Sequence, residues 1–420
     1  MLLTLLPNAL SWYNPFMRKI RVPFFFFILI LIPTLTYLTI KLASGYSFNF
    51  SQKQFEPRGI LVATSIPDGG QVFVDGELKS ATDTTISLKP GHYWVEIKKE
   101  GFSSWQKELL IEKELVTKTD AFLFKIVSPE EDLRPITFFG AENPILSPDS
   151  DKIVYASNAT ESGKAGFWLL DLNEFPFGIS RSPKQILQSK IKGRNFAWSE
   201  ITWSPDARQI LVNSGTQNFL LDPSQLILEE NLIDVTSKVK ALKQSWKEEE
   251  TRINDARLKR LPIPFRKITA TAAANLQFSP DGEKLLYQAT ASAIIPEKLS
   301  LPLPASSTQK ETRKIKSGAL YVYDLKEDKN FFIAEVSLSP LSIFPFSPTL
   351  SWFPTSRHLL WREEKEVNLI EYDGTNKTTI FQGKINPNGV FSAPAANKIF
   401  LLFNPEQESS ATNLYLLNLK

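Results

Sequence analysis

The chain has 420 residues, 42% hydrophobic and 22% charged, which is enough apolar side chain for real cores and too much for a disordered polymer. A net charge of +3 is too near zero for a nucleic-acid binder. The absence of cysteine excludes disulfides, thiol catalysis, thiolate metal sites and iron–sulfur clusters. Only His92 and His358 could give imidazole to a metal, so no metal and no cofactor is expected.

Residues 22–40, VPFFFFILILIPTLTYLTI, carry no charge over 19 positions. A helix of that length spans roughly 28 Å, close to a bilayer core. Arg18, Lys19 and Arg21 precede the run and only Lys41 follows it. The positive-inside rule then places 1–21 in the cytoplasm, 22–43 as a single-pass anchor and the bulk of the chain outside. Pro33 is tolerable in such a helix. The rival is a signal peptide cleaved near LASG (42–45), although signal cores run about 7–15 residues. A buried core helix would need an amphipathic pattern, which four consecutive phenylalanines deny. Residues 1–16 are uncharged, and Met17 opens the better-formed start MRKIRVPFFFF, so initiation at Met17 is an expectation that intact mass would check.

After a polar linker (44–56), short strand-like runs alternate with turn signals over 57–126. VFVDG closes on Asp75-Gly76, Pro90-Gly91 separates two more runs, and Gly101 ends another, with no helical period between them. This predicts a small β-sandwich. The turns come in a set. Pro67, Gly69 and Gly70 precede Val72, Val74, Asp75 and Gly76; Leu88, Pro90 and Gly91 precede Val95; Lys99, Gly101 and Phe102 follow. As a set they resemble the PEGA domain, departing from it at Gly70, where alanine is usual, and at Asp83-Thr84. The resemblance implies an extracytoplasmic envelope module and no catalytic residues. Tyr93, Trp94, Phe102 and Trp105 read as core aromatics, with a sugar-stacking face as the alternative.

A linker (127–133) leads to a repeat. NPILSPDSDKIVYAS (143–157), EITWSPDARQILVNS (200–214) and NLQFSPDGEKLLYQA (275–289) align on Pro148, Pro205 and Pro280, and degenerate copies centre on Pro354 and Pro394. In each, an apolar run, a turn and a second apolar run are followed by a third: FWLLDL (167–172), NFLLD (218–222), LYVYDL (320–325), VNLIEY (367–372) and NLYLLNL (413–419). KQILQS, QLILEE, NFFIAEV and TTIFQG supply a fourth run to the first four units. Four-stranded units repeated radially make a β-propeller. The last unit lacks its fourth strand, and RPITFF (134–139) is placed to supply it and close the ring. The count is five blades, or six if the long spacers conceal one. The repeat resembles that of TolB-type propellers over about 133–420, which implies protein binding or scaffolding in the envelope, although fold alone does not carry function.

Asp149, Asp206 and Asp281 read as turn formers, with Gly282 supplying a left-handed residue that Ser150 and Ala207 lack, so those two turns should be built differently. Residues 232–261 predict a helix, or a short helix pair, lying across one propeller face, with Val239, Leu242, Trp246, Ile253 and Ala256 on one stripe that Glu249 interrupts. Residues 290–318, rich in Pro, Ser and Lys, predict a long mobile loop.

No hydrolase, zincin or phosphate-loop motif occurs. Ser-x-x-Lys at Ser189–Lys192 and Ser237–Lys240 lacks partner motifs, the two histidines fall in separate domains, and DSDK (149–152) is half a calcium loop. No catalytic, cofactor-binding or metal residue is therefore assigned. The expected protein is mainly β: an N-terminal transmembrane helix, a PEGA-like sandwich, then a propeller (134–420) with a helical insertion. The expected function is non-catalytic binding or scaffolding in the cell envelope, with the membrane and an envelope protein or cell-wall glycan as partners. The alternative is a propeller-type glycosidase or lyase using axial carboxylates, which for inversion would stand about 6.5–9.5 Å apart.

Overall fold

The computed structural model describes residues 15–43, 46–49, 54–126, 133–161, 163–175, 179–188, 199–301, 303, 306–335, 350–404 and 412–420. Helix α1 (Pro15–Ala43) begins earlier than the expected 22. From Pro23 to Ala43 it has a mean hydropathy of 2.1 and is largely exposed, touching the following hairpin where Tyr37 stands edge-on to Phe55 at 6.5 Å. The hydroxyls of Thr34 and Thr39 donate to the carbonyls of Ile30 and Leu35, so neither is left unpaired on this apolar helix. The expected linker holds a small hairpin, β1 (Ser47–Asn49) paired with β2 (Gln54–Glu56).

Two sheets follow. β3 (Gly59–Ile66) lies between β6 (Thr84–Leu88) and, in parallel, β9 (Val116–Phe122). β4 (Gln71–Val74) lies between β5 (Glu77–Ala81) and β7 (Gly91–Lys98), and β8 (Trp105–Ile111) edges β7. Along β3 every second side chain is buried, so Leu61 and Ala63 meet Val72, Val74, Val95 and Ile97 from the facing sheet. Asp75 and Gly76, both at positive φ (51° and 82°), form the two-residue turn between β4 and β5.

Among the described residues, the rest of the chain forms five meandering sheets and two small two-stranded hairpins. Blade 1 is Glu142–Leu146, Lys152–Ser157, Gly166–Asp171 and Lys184–Gln188; blade 2 is Glu200–Trp203, Ile210–Asn213, Asn218–Leu221 and Ile233–Asp234. Blade 3 is Ala273–Phe278, Lys284–Ala289, Ala319–Asp324 and Lys329–Glu335; blade 4 is Leu350–Trp352, His358–Arg362, Glu366–Glu371 and Thr378–Gln382. Blade 5 is Val390–Ser392, Lys398–Phe403 and Asn413–Asn418, and its fourth strand is Arg134–Pro135, paired with Leu416 and Tyr415. The ring is thus closed by the segment expected to close it, over two residues of the six anticipated.

First strands lie inward, where neighbouring blades meet. The Trp203 indole donates to the Ile145 carbonyl and the Trp352 indole to the Gln277 carbonyl, first strand to first strand. Apolar clusters join blades 1 and 2, 3 and 4, 4 and 5, and 5 and 1. Between blades 2 and 3 the helical insertion intervenes. Helix α2 (Val239–Leu258) puts Trp246 on Leu211 and Val235 of blade 2, and helix α3 (Ile263–Ala272) puts Phe265 among Leu285, Tyr287, Tyr321 and Tyr323 of blade 3. The insertion is a wedge between blades rather than a strap across one face. It carries no sixth sheet among the described residues. Ala256, expected on the packed stripe, is exposed, and Leu258 is the half-buried residue at that end.

Three further expectations are corrected. QLILEE is not the outer strand of blade 2: Ile227–Leu228 pairs in parallel with Leu187 and Gln188 on the outer edge of blade 1, and Ile233–Asp234 completes blade 2. The described residues of 290–318 are held in place. Ala293–Ile294 pairs with Lys314–Ile315, Ile295 and Ile315 are buried, and the Asp328 carboxylate takes the Leu299 amide, the Arg313 guanidinium and the Tyr323 hydroxyl. The five Ser-Pro-Asp-type turns share one backbone. The amide of the position-four residue bonds the carbonyl three residues back at Ser150, Ala207, Gly282, Ser356 and Ala396, and all five have φ between 55° and 70°. In the first three the Ser147, Ser204 and Ser279 hydroxyls bond Asp149, Asp206 and Asp281, whose carboxylates also take the amides of Asp151, Arg208 and Glu283. That network holds non-glycine residues in the left-handed region. Ser150 is exposed, so Ser150→Gly should relieve this strain and raise the unfolding free energy by about 0.5–1 kcal/mol, read as a higher urea midpoint at unchanged slope.

Candidate functional site

Two places bring chemistry together. The first is a cleft of about 670 Å³ between α2, the inner strand of blade 2 and the turns of blades 1 and 2. Pro148, Pro205, Glu200, Thr202 and Trp203 form one wall. The other is a single stripe of α2, with Lys243, Lys247 and Arg257 as its cations, Trp246 and Ile253 as its apolar residues, and Glu250 and Asn254 between them. None of the three cations has an ion-pair partner among the described residues, although Glu250 lies on the same stripe. Trp246 and Leu242 fix the start of α2 on blade 2, while its middle stands clear of the sheet.

The second is the junction between sandwich and propeller. The Lys107 ammonium, on β8, lies 2.5 Å from Glu371 and 2.5 Å from Asp373, at the end of the third strand of blade 4. All three side chains are at most 10% exposed. The Trp105 indole donates to Glu371 at 2.6 Å, Asn376 donates to the same oxygen at 3.0 Å, and the Asn376 side-chain oxygen takes the Gln106 amide. Thr375 binds Asp373 through both its amide and its hydroxyl. One lysine serves two carboxylates. Burial pushes Lys107 down, but Glu371 and Asp373 together outweigh it and hold the ammonium above its ordinary range. Glu371 goes up, through burial first, with the neighbouring Asp373 adding to it against the pull of Lys107.

Beside this cluster Phe124 enters the core shared by blades 4 and 5, and the Lys125 amide bonds the Leu419 carbonyl. His358 is buried against the edges of Phe122 and Phe124, its Nδ1 2.9 Å from the Thr355 hydroxyl. Burial, then the charges of Arg357 and Lys107, push it down to about 3, so it is neutral and acts as packing. Arg357 meets Asp120 at 3.1 Å on the rim, and Thr308 and Gln309 donate to the Glu108 carbonyl, so the 290–318 insertion also holds the sandwich.

Residues 58–125 match the PEGA domain. No curated protein matches the chain. Solved structures similar to it include a putative TolB from Agrobacterium tumefaciens (12% identity, 68% of this chain and 83% of that one, TM-score 0.22). TolB from Acinetobacter baumannii gives 13% identity over 70% of this chain and 61% of that one, TM-score 0.22. A putative 6-phosphogluconolactonase from Bacteroides fragilis gives 11% identity over 80% and 88%, TM-score 0.22. The propeller itself rests on the strand order above.

Within the PEGA domain, Gly70 has a physical reason for departing from alanine: a Cβ there would stand 2.8 Å from Ile97 Cγ2. The four aromatics do not share one face. Trp105 is buried at the junction, Tyr93 and Phe102 pack on the core, and Trp94 is half-exposed. His92 is exposed, 3.4 Å from Glu108 and in a different domain from His358. Ser189–Lys192 lies outside the described residues, and no group of three metal-ligating side chains occurs among those described. The sequence reading missed Lys107, Glu371 and Asp373. Asp373-Gly374 carried only a turn signal, and nothing in the local pattern tied it to a lysine in another domain.

Proposed function

We propose that this chain is a single-pass, extracytoplasmic, non-catalytic binding or scaffold protein of the cell envelope, with its N-terminus in the cytoplasm. The PEGA domain serves as a rigid mount for the propeller, whose free face recognises an envelope protein or glycan. The observation that carries the reading is the buried Lys107–Glu371–Asp373 cluster, which fixes the propeller on a domain that follows an apolar helix after a short linker. Fixing orientation is the task of a mount; a flexible tether would leave such charges in water. Orientation can be tested cleanly because the chain has no cysteine. Glu77 is exposed, and Glu77→Cys should react with a membrane-impermeant maleimide on intact spheroplasts, while the protein resists alkaline carbonate extraction. Labelling only after lysis would reverse the topology, and extraction would remove the anchor.

The enzyme alternative is kept because Glu200 and Glu250 both line the cleft. Release of sugar from envelope glycans by the purified protein, lost in Glu200→Gln, would replace the scaffold reading.

A further inference from the structure

We infer that the cleft along α2 binds an extended acidic peptide segment of a partner protein. The inference rests on the proposed binding role and names its site and ligand chemistry. Three features converge. The cleft is long: Lys243 and Arg257 lie on one stripe of α2, so its wall runs roughly 21 Å at about 1.5 Å per residue, enough for about six extended residues. It is charged in a particular order. Lys243 and Lys247 stand at one end and Arg257 at the other, without ion-pair partners among the described residues; Glu200 and Glu250 share the lining but are outnumbered, so carboxylates placed toward the two ends of an extended chain would meet all three cations. The opposite wall is a strand paired on one side only: Glu200–Trp203 bonds Ile210–Asn213 and leaves its inner edge unpaired in the sheet. Backbone edge, the Pro148 and Pro205 surface, and cations are what a peptide uses together. A polysaccharide would use the cations and make no call on the edge. It would also want open indole faces, and Trp203 and Trp246 are 7% and 9% exposed.

The test uses the full chain in detergent and a fluorescent peptide of about six residues with Glu and Val alternating. A Lys/Val peptide and an oligogalacturonate are the comparators. Saturable binding of the acidic peptide is expected, weakening steeply with salt. The double variant Lys243→Glu/Lys247→Glu should weaken it roughly tenfold or more, while Arg252→Glu, on the opposite side of α2, should not. Far-ultraviolet circular dichroism and melting confirm that each variant is folded. Binding of the oligogalacturonate without the peptide, equal binding of both peptides, full retention in the double variant, or no saturable binding would each overturn the inference. Purified protein and defined probes confine such a failure to this cleft; the maleimide labelling and carbonate extraction judge the membrane-anchored reading separately.

Discussion

Lys107→Met is expected to lower the unfolding free energy by about 3–5 kcal/mol at neutral pH. Methionine keeps much of the apolar stem, so the loss is the counter-charge. Glu371 and Asp373 would then stay buried, like-charged and short of donors. The triple variant Lys107→Met/Glu371→Gln/Asp373→Asn should recover most of the loss, because removing a whole buried cluster costs far less than removing one member. The pH dependence has a definite sign. Lys107 is raised above its ordinary 10.5, so its contribution is complete below that value and fades only as pH climbs through the folded value. The wild-type latch is therefore flat across neutral pH. In Lys107→Met the governing group is Glu371, whose pKa is raised above 4.5 even in the wild type. A raised carboxylate favours the fold when protonated, so the variant's deficit should shrink as pH falls toward the carboxylate range. Urea unfolding of the purified full chain at neutral and mildly acid pH measures both. A deficit below about 1 kcal/mol, or one that widens on acidification, would show that the cluster is solvated and the mount loose. Asp120→Asn is the control: that rim pair with Arg357 is part-exposed and should cost under about 1 kcal/mol.

What could be read from the residues alone was what periodicity writes into them. The sandwich, the repeated turns and the ring-closing strand at 134–135 follow from period-two burial and Asp-Gly or Ser-Pro-Asp turns, which are local. Two failures were failures of locality. QLILEE has the pattern of a fourth strand, yet it crosses to blade 1, because Leu187 offers Ile227 a partner that no local signal announces. The 290–318 insertion has the composition of a mobile loop, yet Asp328, an aspartate with no distinguishing context, gathers three of its neighbours' donors. The turns at Ser150 and Ala207 misled in another way. Glycine is the cheapest residue at positive φ, but a shared hydrogen-bond network sustains other residues there. Of the candidate sites, only Trp246 and Ile253 of the cleft were legible, as members of the expected α2 stripe. The cleft's other wall, and the whole of the junction, depend on which blades and domains come to lie side by side.

Phe265→Ala should cost about 3–5 kcal/mol, as much as any core substitution in the propeller. The sequence expectation ended the helical insertion at 261 and gave Phe265 no role. Alternation in blade 3 explains why it matters. Leu285, Tyr287 and Tyr323 point to one side of the sheet and Leu286 and Val322 to the other. The second side meets blade 4. The first has no neighbouring blade, and Phe265 covers it, fully buried, its ring stacked 4.0 Å from Tyr323 and edge-on at 5.7 Å from Tyr287. Alanine would leave three tyrosines facing a void, with their hydroxyls still tied to Asn330, Asp328 and the Lys316 amide and unable to collapse into it. Stability in urea and the near-ultraviolet signal of the tyrosines report the loss. A change under about 1 kcal/mol would mean that α3 is an appendage and blade 3 is closed by something else. Because α3 follows α2 after a short turn through the buried Leu261, freeing α3 should also loosen the cleft's helical wall. Acidic-peptide binding should therefore fall in Phe265→Ala although no cation has been touched, which ties the wedge that replaces blade-to-blade packing to the site it shapes.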